Sequence, residues 1–295
     1  MSVDALARDF EAHRTQLRAV AYRMLGSVAE AEDAVQEAWI RLSRSDAGEV
    51  RNLAAWLTTV VARVCLNLLE SRRIRREEPL EADVHVPDPI LSTVEGSDPE
   101  REAMLADSVG LALMVVLDTL EPAERLAFVL HDMFAVPFDD IAPMVGRNPA
   151  AARQLASRAR RRMHLAQVAQ RPEADLPRQR QVVEAFLAAS RNGDFDALVS
   201  VLDPEVVLRA DYGAAGRSRL LRGARAVAGG ARGFGRVGYL PQLVLVNGEL
   251  GVMAVDAGGK VYAVMALTIR EGMITEMNIL ADPERLATLG LHAAA

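Results

Sequence analysis

The chain has 295 residues and a formal net charge of −6, from 40 acidic and 34 basic residues. A chain of this length is expected to divide into two or three domains. Its net acidity excludes a protein coated uniformly by nucleic acid, although it permits a local basic face. The single cysteine, Cys65, excludes a disulfide framework and a cysteine-based zinc site, and we expect a buried, inert thiol.

Membrane and secretory classes are also disfavoured by the sequence. We find no apolar stretch that approaches the roughly 18–20 residues of a membrane span, and the N-terminus lacks the layout of a signal peptide. We therefore expect a cytoplasmic protein without a membrane partner.

Residues 1–76 are predicted to be helical throughout. Gly26 ends a first helix, whose apolar stripe is Phe10, Leu17, Val20, Ala21 and Met24. Ser27, with Glu30 three residues on, is a capping-box signature that starts a second helix reaching about Leu42. The apolar side of this helix carries Val35, Ala38, Trp39 and Leu42. Its polar side carries Asp33, Gln36, Glu37 and Arg41.

A third helix is predicted from residue 53 to about 73. Its inward positions are Trp56, Leu57, Val60, Val61, Val64 and Leu68, and it ends in the basic residues Arg72, Arg73, Arg75 and Arg76. The composition then inverts in residues 77–102, which hold nine carboxylates, four prolines and one basic residue, Arg101. This segment is predicted to be a mostly extended acidic linker.

Residues 103–170 are again predicted to be helical and to contain a helix-turn-helix. Gly146 suits a turn glycine with φ > 0 four residues after Ala142, and Asn148 can cap a new helix that has Pro149 at its first position. On that helix Ala152, Leu155, Ala156 and Ala159 form a buried stripe. The outward residues are Ala151, Arg153, Gln154, Ser157, Arg158 and Arg161.

Charge supports a DNA-binding role for this helix. The sequence between Ile141 and Glu173 has no carboxylate but holds seven arginines. Small and polar residues near the helix start, followed by arginines, favour a recognition helix in a DNA major groove with guanidinium groups at phosphates.

Residues 178–288 have a different character. A helix at 179–191 is followed by a helix that turns into a strand, then a Gly-rich stretch, then predicted strands at 239–247, 249–255, 260–269 and 273–280. Asn247-Gly248 and Gly258-Gly259 are hairpin dipeptides. The order predicts an α+β domain with helices on one sheet face, so the fold class is multidomain: two all-α modules followed by an α+β cone.

Three segments carry a resemblance to the sigma-70 family of bacterial sigma factors, in particular the extracytoplasmic-function (ECF) group. AEDAVQEAWIRL (31–42) resembles the region-2.2 helix that docks on the polymerase clamp, and AAWLTTVVARVCLNLLESRRIRR (54–76) resembles the helix that reads the −10 element. FDDIAPMVGRNPAAARQLASRARRRM (138–163) is similar to the region-4.2 reader of the −35 element.

The third piece resembles a SnoaL-type, NTF2-like domain, as in the ECF subgroup that carries this extension. DAGGK (256–260) is similar to that subgroup's DGGGK, and ADPERL (281–286) to its NPDKL. The subgroup's linker carries a WLP motif, whereas VHVPDP here has His85 and Val86 in place of Trp-Leu.

The resemblance implies a sigma factor that binds core RNA polymerase and promoter DNA at the −35 and −10 elements. Polymerase contact is expected at Asp33, Gln36, Glu37 and Arg41. Contact with the −10 element is expected at Arg63, Asn67, Arg72, Arg73, Arg75 and Arg76, with Asn67 where the family's pocket has Asn or Asp. Contact with the −35 element is expected at Asn148, Ala151, Arg153, Gln154, Ser157, Arg158 and Arg161. A regulatory interdomain surface is expected at Asp256, Lys260, Asp282, Pro283 and Arg285.

The C-terminal domain is poorly supplied for catalysis. His292 is the only histidine after residue 165, so no histidine–carboxylate pair is available to the candidate cavity residues Asp211, Tyr212, Asp256, Glu276 and Asp282. We expect no enzyme activity and no cofactor. The domain is instead expected to pack against the helical modules and regulate them, and its cavity leaves room for a small ligand.

Two alternatives stay open at this stage. The first is an ordinary helix-turn-helix regulator with a ligand-binding C-terminal domain, which would leave the region-2-like segment unexplained. The second is a SnoaL-class enzyme with a DNA-binding appendage. Binding of core RNA polymerase distinguishes a sigma factor from the helix-turn-helix regulator. Turnover of a small substrate by the fragment 178–295 would identify the SnoaL-class enzyme.

Overall fold

The computed structural model describes residues 3–45, 52–75, 84–92, 110–165, 175–231, 239–289 and 291. The chain divides into two compact units. We call Met1–Leu80 with Val116–Ala169 the helical unit, and Glu81–Val115 with Gln170–Ala295 the C-terminal unit.

The helical unit begins with three helices, α1 (Val3–Leu25), α2 (Val28–Arg44) and α3 (Leu53–Arg75). The predicted stripe of α1 is buried, and α1 ends at Gly26 with a φ of 70°. Ser27 caps α2 by accepting a hydrogen bond from the Glu30 N–H at 3.5 Å. The Glu30 carboxylate forms an ion pair with Arg72 of α3, so this contact fastens α3 to the start of α2.

The buried stripe of α3 differs from the prediction. It comprises Leu57, Val61, Ala62, Cys65 and Leu66, and the predicted inward residues Trp56, Val60, Val64 and Leu68 are only half-buried. Apolar residues surround most of this helix, so their spacing does not select one face. The predicted buried thiol is confirmed, since Cys65 is fully buried and burial raises the pKa of the thiol to about 12.

The expectation that no segment approaches a membrane span was wrong in length and composition. Leu53–Ile74 is long and apolar enough to cross a membrane, with a mean hydropathy of 1.4. The same test is passed by core helices of soluble proteins. α3 packs against α1 and α2 through its buried stripe, so we treat it as a core helix.

The second helical set comprises α4 (Leu111–Asp118), α5 (Pro122–Phe128), a π-helical turn at Val129–Met133, α6 (Phe138–Ile141) and α7 (Pro149–Leu165). The boundary between the two units falls inside α4. Gly146 has a φ of 62°, and Asn148 Oδ1 accepts a hydrogen bond from the Ala151 N–H at 2.8 Å. The predicted stripe of α7 is buried, together with Met163. The predicted turn, cap and apolar face of the helix-turn-helix are therefore confirmed.

The C-terminal unit contains a seven-stranded sheet packed with helices. Its strands are β1 (Leu91–Ser92), β2 (Leu202–Asp211), β3 (Arg219–Arg222), β4 (Leu240–Val246), β5 (Glu249–Val255), β6 (Val261–Arg270) and β7 (Met273–Leu280). Their order is β1-β4-β5-β6-β7-β2-β3, and only the β2–β7 pair is parallel. The helices are α8 (Leu176–Asn192), α9 (Phe195–Val201), α10 (Ala224–Ala231) and α11 (Pro283–Thr288), with a 3₁₀ turn at Gly213–Ala215.

Helices α8, α9 and α10 contribute to one core cluster with alternating residues of β2, β5, β6 and β7. The four predicted strands are confirmed to within one or two residues. Asn247 and Gly248 have φ values of 50° and 82°, as a two-residue hairpin requires. Helix α10 was missed, because its sequence ARAVAGGA lies in the Gly-rich stretch.

Part of the predicted acidic linker belongs to the C-terminal unit. Residues 84–90 form neither helix nor strand, and β1 then pairs with β4 at the sheet edge. Val86, Pro87, Asp88 and Pro89 are all buried. Composition predicts an acidic linker, but this segment is held by hydrogen bonds with Asp211, Asn247 and Arg285 of the C-terminal unit.

Candidate nucleic-acid interface

The outer face of α7 presents basic and small polar side chains. Arg153, Gln154, Ser157, Arg158 and Arg161 are exposed, and Ala151 is half-buried. Asn148 is exposed at the start of the helix, where its side chain is already engaged as the cap. The five exposed residues follow helical spacing on the side opposite the buried stripe, so they form one continuous surface.

The arginines of α7 divide into two groups by their partners. Arg158 Nε lies 3.2 Å from Oε1 of the buried Glu124, and Arg162 Nη1 lies 3.4 Å from its Oε2. Arg160 Nε lies 2.6 Å from Asp132 Oδ1. These three residues fasten α7 to the supporting helices.

Within the described residues, Arg153 and Arg161 have no carboxylate partner. The Arg153 guanidinium lies over the Phe138 ring, 5.6 Å from its centroid, which leaves its N–H groups free to reach an anion. A duplex on this face would therefore meet Arg153 and Arg161 as uncompensated charges, whereas Arg158 would share its charge with Glu124.

On α3 the predicted −10 residues have different surroundings. Arg63 and Asn67 are exposed one turn apart on the same face. Arg72 is half-buried, pairs with Glu30 and donates to the Leu25 carbonyl at 3.3 Å. Arg73 Nη1 lies 3.7 Å from a Glu121 oxygen. Arg75 is the last residue of α3 and Arg76 lies outside the described residues, so Arg63, Asn67 and Arg73 are the accessible members of this set.

The α2 face proposed for polymerase is accessible. Asp33, Gln36 and Arg41 are exposed, and Glu37 is half-buried. Arg41 Nε donates to Glu37 Oε1 at 2.8 Å, one helical turn away. Gln36 also lines a groove of about 450 Å³ whose apolar walls include Phe10 and Trp39. The arrangement supplies a mixed-polarity surface beside an apolar groove.

The two helical sets of the helical unit touch through their functional elements. Arg63 Nη2 on α3 donates to the Pro143 carbonyl, in the turn before α7, at 3.4 Å. Arg125 of α5 is buried, pairs with Asp118, and donates to the Arg23 carbonyl of α1 at 2.9 Å. The Arg23 guanidinium lies 5.0 Å from the centroid of the Phe134 ring. Helix α3 and the helix-turn-helix are thus in contact in this structure.

In the C-terminal unit, Arg285 of α11 clamps the extended linker segment. Its Nε donates to Asp88 Oδ1 at 2.9 Å, its Nη1 to Asp211 Oδ2 at 2.9 Å, and its Nη2 to the Val86 carbonyl at 2.7 Å. The Val86 N–H donates to the same Asp211 oxygen at 3.0 Å. We call this set, Val86, Asp88, Asp211 and Arg285, the linker clamp.

Two further contacts support the linker clamp. The Ile90 N–H donates to Asn247 Oδ1 at 2.9 Å, and the Asn247 N–H donates to the Ile90 carbonyl at 2.8 Å. His85 Nδ1 lies 3.5 Å from Asp211 Oδ2. The expectation that no histidine–carboxylate pair is available to Asp211 was therefore wrong, because the histidine comes from the linker segment and not from the residues after 165.

Burial alone would raise the pKa of Asp211. The hydrogen bonds from His85, Val86 and Gly213, with the charge of Arg285, outweigh burial and lower it to about 2. Asp211 is therefore ionised at neutral pH and holds Arg285 by charge as well as by hydrogen bonding.

The other predicted regulatory residues shape a groove. Asp256 Oδ1 accepts from the Gly258 and Lys260 N–H groups at 2.8 and 2.9 Å, which closes the turn and lowers the Asp256 pKa. Lys260 Nζ lies 5.1 Å from the Tyr262 ring centroid. Asp282 caps α11 by accepting from the Glu284 N–H at 2.9 Å, and Pro283 is the first residue of that helix. A groove of about 460 Å³ separates this hairpin from α11.

Between the helices and the sheet lies a smaller cavity of about 90 Å³. Its walls are mostly apolar, including Leu187, Val252 and Met265, and its polar lining residues are Ser190, Arg191 and Tyr239. This volume is below the several hundred Å³ of ordinary ligand pockets, so it fits only a very small apolar molecule.

Several contact residues were missed by sequence analysis. Asp88 and Asn247 were assigned to an acidic linker and a hairpin turn, and Arg23, Glu124 and Arg125 were not singled out. For the linker the available signal was Val86-Pro87-Asp88-Pro89, in which an apolar residue and two prolines interrupt a run of carboxylates. No local pattern marks Arg125, because its partner at Arg23 is remote in sequence.

Comparison with known proteins supports this organisation. Residues 10–75 match the family model Sigma-70 region 2, and residues 110–163 match Sigma-70, region 4. The chain is 38% identical to the ECF RNA polymerase sigma factor SigJ of Mycobacterium tuberculosis over 94% of this chain and 92% of the relative. It is also 38% identical to the probable ECF RNA polymerase sigma factor SigI of that species, over 97% and 96%.

A solved structure agrees over nearly the whole chain. The crystal structure of M. tuberculosis SigJ superimposes with a TM-score of 0.73 at 35% identity, covering 95% of this chain and 98% of that one. The match includes the sheet-containing C-terminal part. With two sigma-70 regions, an α+β extension and full-length similarity to such relatives, the chain belongs to the ECF RNA polymerase sigma factors.

Proposed function

We propose that the chain binds core RNA polymerase through the exposed face of α2 and directs it to promoters through α3 and α7. In this proposal Arg63 and Asn67 contact the −10 element, and the α7 surface contacts the −35 element. The functional modules are residues 1–76, 77–102, 103–170 and 178–288.

One observation carries the proposal for α7. Helix α7 is capped, and its buried stripe faces away from a continuous polar surface. On that surface Arg153 and Arg161 have no carboxylate partner in the described part of the chain. Such charges release counterions when they meet phosphate, which favours association with DNA. Because these arginines lie on the second helix of a helix-turn-helix, that helix can bring them to the major groove of the DNA.

Holoenzyme binding to a library of promoter fragments tests this role. We expect the double variant R153Q/R161Q to lose most promoter binding while it retains core polymerase, because α7 makes no contribution to the α2 face. The matched control R8Q/R180Q removes the same charge from exposed positions on α1 and α8 and should bind as the native chain does. Equal promoter binding by the two variants would contradict the role of α7.

Core polymerase binding tests the α2 face and the main alternative. The variant Asp33→Arg reverses the charge of an exposed α2 residue and should weaken association with core polymerase, with α1 position Asp9→Arg as the control. An ordinary helix-turn-helix regulator would bind DNA without associating with the polymerase. If the native chain binds DNA but does not associate with core polymerase, the proposal is wrong and the chain is a helix-turn-helix regulator.

We further propose that the contact between the two helical sets must break in a promoter complex. The −35 and −10 elements lie about 25 base pairs apart, or about 85 Å of B-form DNA at 3.4 Å per base pair. Arg63 touches the turn before α7 in this structure, which is incompatible with α3 and α7 occupying both elements. The free chain is therefore closed, and polymerase binding must supply the energy of opening.

The C-terminal unit is proposed to act as a built-in regulator through the linker clamp, because the segment that it holds connects region 2 to region 4. Residues Asp256, Lys260, Asp282, Pro283 and Arg285 belong to this proposed regulatory surface. Deletion of residues 178–295 should change polymerase affinity or promoter-dependent transcription. If neither polymerase affinity nor promoter-dependent transcription changed, the C-terminal unit would not be a regulator. A small ligand of the inner cavity stays a prediction.

A further inference from the structure

A second arginine-rich island lies in the C-terminal unit, outside the surfaces described so far. Between Asp211 and Glu249 the sequence holds six arginines and no carboxylate. Four of them are described and all four are exposed; three of the four, Arg219, Arg222 and Arg225, lie on β3 or directly after it, whereas Arg217 lies two residues before it. Such an island is unexpected in a protein whose net charge is −6, because carboxylates are plentiful elsewhere.

The fold places these three residues at one end of the sheet. Among the residues that the structure describes, β3 is the last strand of the sheet and pairs with β2 alone. Arg219 and Arg222 are the first and last residues of β3, and Arg225 follows Gly223 at the start of α10. We call these three residues the arginine edge.

Ion pairing distinguishes the arginine edge from two other arginines of the same unit, Arg209 and Arg285. Arg209 pairs with Glu276, and Arg285 pairs with Asp88 and Asp211. Across the described residues, Arg219, Arg222 and Arg225 have no carboxylate partner. Arg225 instead lies over the Phe195 ring, 5.5 Å from its centroid, which orients the guanidinium without neutralising it.

Protection of a sheet edge is the simplest alternative explanation. Charged side chains on edge strands prevent pairing with another sheet. That role requires charge on the strand only, whereas Arg225 lies on the following helix. It also does not require the neighbouring carboxylates to be absent, since acidic residues protect an edge as well as basic ones.

We propose that the arginine edge binds the phosphate backbone of duplex DNA, independently of α3 and α7. Guanidinium groups and the free N–H groups of an open strand edge are both common donors to phosphate oxygens. The Cα atoms of Arg219 and Arg222 are separated by about 10 Å along the strand, which corresponds to about three base-pair steps. A protein partner is less suitable, because Leu220 is the one large exposed apolar side chain on β3 and protein interfaces need an apolar centre.

The inference rests on the proposed function insofar as polymerase and promoter bring DNA to the chain. The contact would be independent of sequence, because phosphates carry no base identity. It would therefore add affinity and salt dependence to promoter binding without changing which promoter is chosen.

The test is the salt dependence of duplex binding by holoenzyme containing the full-length chain. The probe is a labelled promoter duplex of about 80 base pairs, titrated between about 50 and 200 mM salt. Each lost phosphate contact lowers the slope of log affinity against log salt by about 0.9. We expect R219Q/R222Q to lower the slope by about 2, and addition of R225Q to lower it by about 1 more.

Two matched variants control this measurement. R8Q/R180Q removes the same net charge from dispersed exposed positions and should leave the slope of the native chain unchanged. R219K/R222K keeps both charges and should also keep the slope, which separates loss of charge from misfolding. The thermal midpoint of every variant is measured alongside.

Equal slopes for R219Q/R222Q and R8Q/R180Q would overturn the inference. A loss of core polymerase affinity without a change in slope would also overturn it, in favour of an acidic protein surface. If native holoenzyme fails to bind the duplex, the proposed function itself fails. If native holoenzyme binds and initiates but the slopes agree, only the arginine edge is wrong.

Discussion

Each unit contains a buried or half-buried arginine that joins segments far apart in the sequence, and the two are not equally satisfied. Arg285 meets two carboxylates and a carbonyl oxygen. Arg125 meets one carboxylate and one carbonyl oxygen, and its Nη2 has no hydrogen-bond partner within the described residues. Removing a charge from water is costly unless its hydrogen bonds are replaced. The linker clamp is therefore the firmer of the two contacts, and the contact between the helical sets is the one suited to opening.

The largest expected effect is at the linker clamp. Arg285→Met leaves Asp88 and Asp211 buried without their cation, and we expect a loss of about 3 kcal/mol in the unfolding free energy of the C-terminal unit. Denaturant unfolding measures the loss, and limited proteolysis should show faster cleavage within 77–102. The control Arg180→Met, on the exposed side of α8, should change neither. A loss below about 1 kcal/mol would mean that the clamp is not the firmer contact.

A smaller effect is expected at the contact between the helical sets. Arg125→Met removes an arginine whose hydrogen-bonding groups are already incompletely satisfied. The apolar side chain of methionine can still fill the buried site. We expect a loss of about 1–2 kcal/mol in stability. Because the contact to Arg23 is lost, the free chain should also open. Distance measurements between labels on α2 and α7 detect the opening, and an unchanged distance would show that Arg125 does not hold the closed form.

The pH dependence of stability gives a further comparison, between two carboxyl groups of the C-terminal unit, Glu249 and Asp211. Burial, with the nearby charge of Glu276, raises the pKa of Glu249 to about 7, although Thr268 donates to its carboxylate at 3.4 Å. A raised pKa means that the native state holds the proton more tightly than the unfolded chain does. Stability from this group is fully present below pH 4.5 and is lost as the pH rises through about 7.

The isosteric variant Glu249→Gln should remove this dependence. At pH 8 it should be more stable than the native chain, because the neutral amide avoids the cost of holding an ionised carboxylate in this site. Chemical unfolding at pH 5 and pH 8 measures the difference, with the exposed Glu205→Gln on β2 as the control. Equal stability changes in both variants would exclude a buried, protonated Glu249.

The pKa of Asp211 is shifted in the opposite direction from that of Glu249, so its effect on stability has the opposite dependence on pH. Its lowered pKa of about 2 means that its stabilisation is present above its ordinary value of 3.8 and is lost as the pH falls through about 2. Asp211→Asn should therefore flatten the acid limb of the unfolding curve between those values. An acid limb identical to that of the native chain would show that Asp211 is not paired with Arg285 in solution.

The smallest effect concerns Cys65. Burial raises its pKa to about 12, so the reactive thiolate is scarce in the native state at pH 8. A thiol reagent should modify Cys65 only at the rate of opening or unfolding. Fast stoichiometric modification of the native chain would mean that the core of the first three helices is loosely packed.

Local patterns predicted much of this fold and little of its long-range contact. Gly146, Asn148 and Pro149 act through neighbours in the chain, so the recognition helix and its cap followed from spacing alone. The four strands after residue 239 followed in the same way from alternation and hairpin dipeptides. The buried face of α3 could not be selected, because apolar residues occupy several sides of that helix.

The linker clamp and the contact of Arg125 with Arg23 depend on pairs that are 74 to 199 residues apart in the sequence. Arg285 was expected at a regulatory surface through its resemblance to a family motif, but its partners Val86 and Asp88 were hidden in an acidic segment. The sequence shows that those carboxylates exist without showing which one is buried. Tertiary packing decides that.

Run-off transcription with core RNA polymerase is the most direct test of the central claim. Full-length chain added to core polymerase should yield a transcript from a fixed start on a subset of a promoter library, and R153Q/R161Q should abolish that transcript while R8Q/R180Q retains it. If the native chain neither associates with core polymerase at low ionic strength nor yields a transcript, with or without residues 178–295, the account is contradicted.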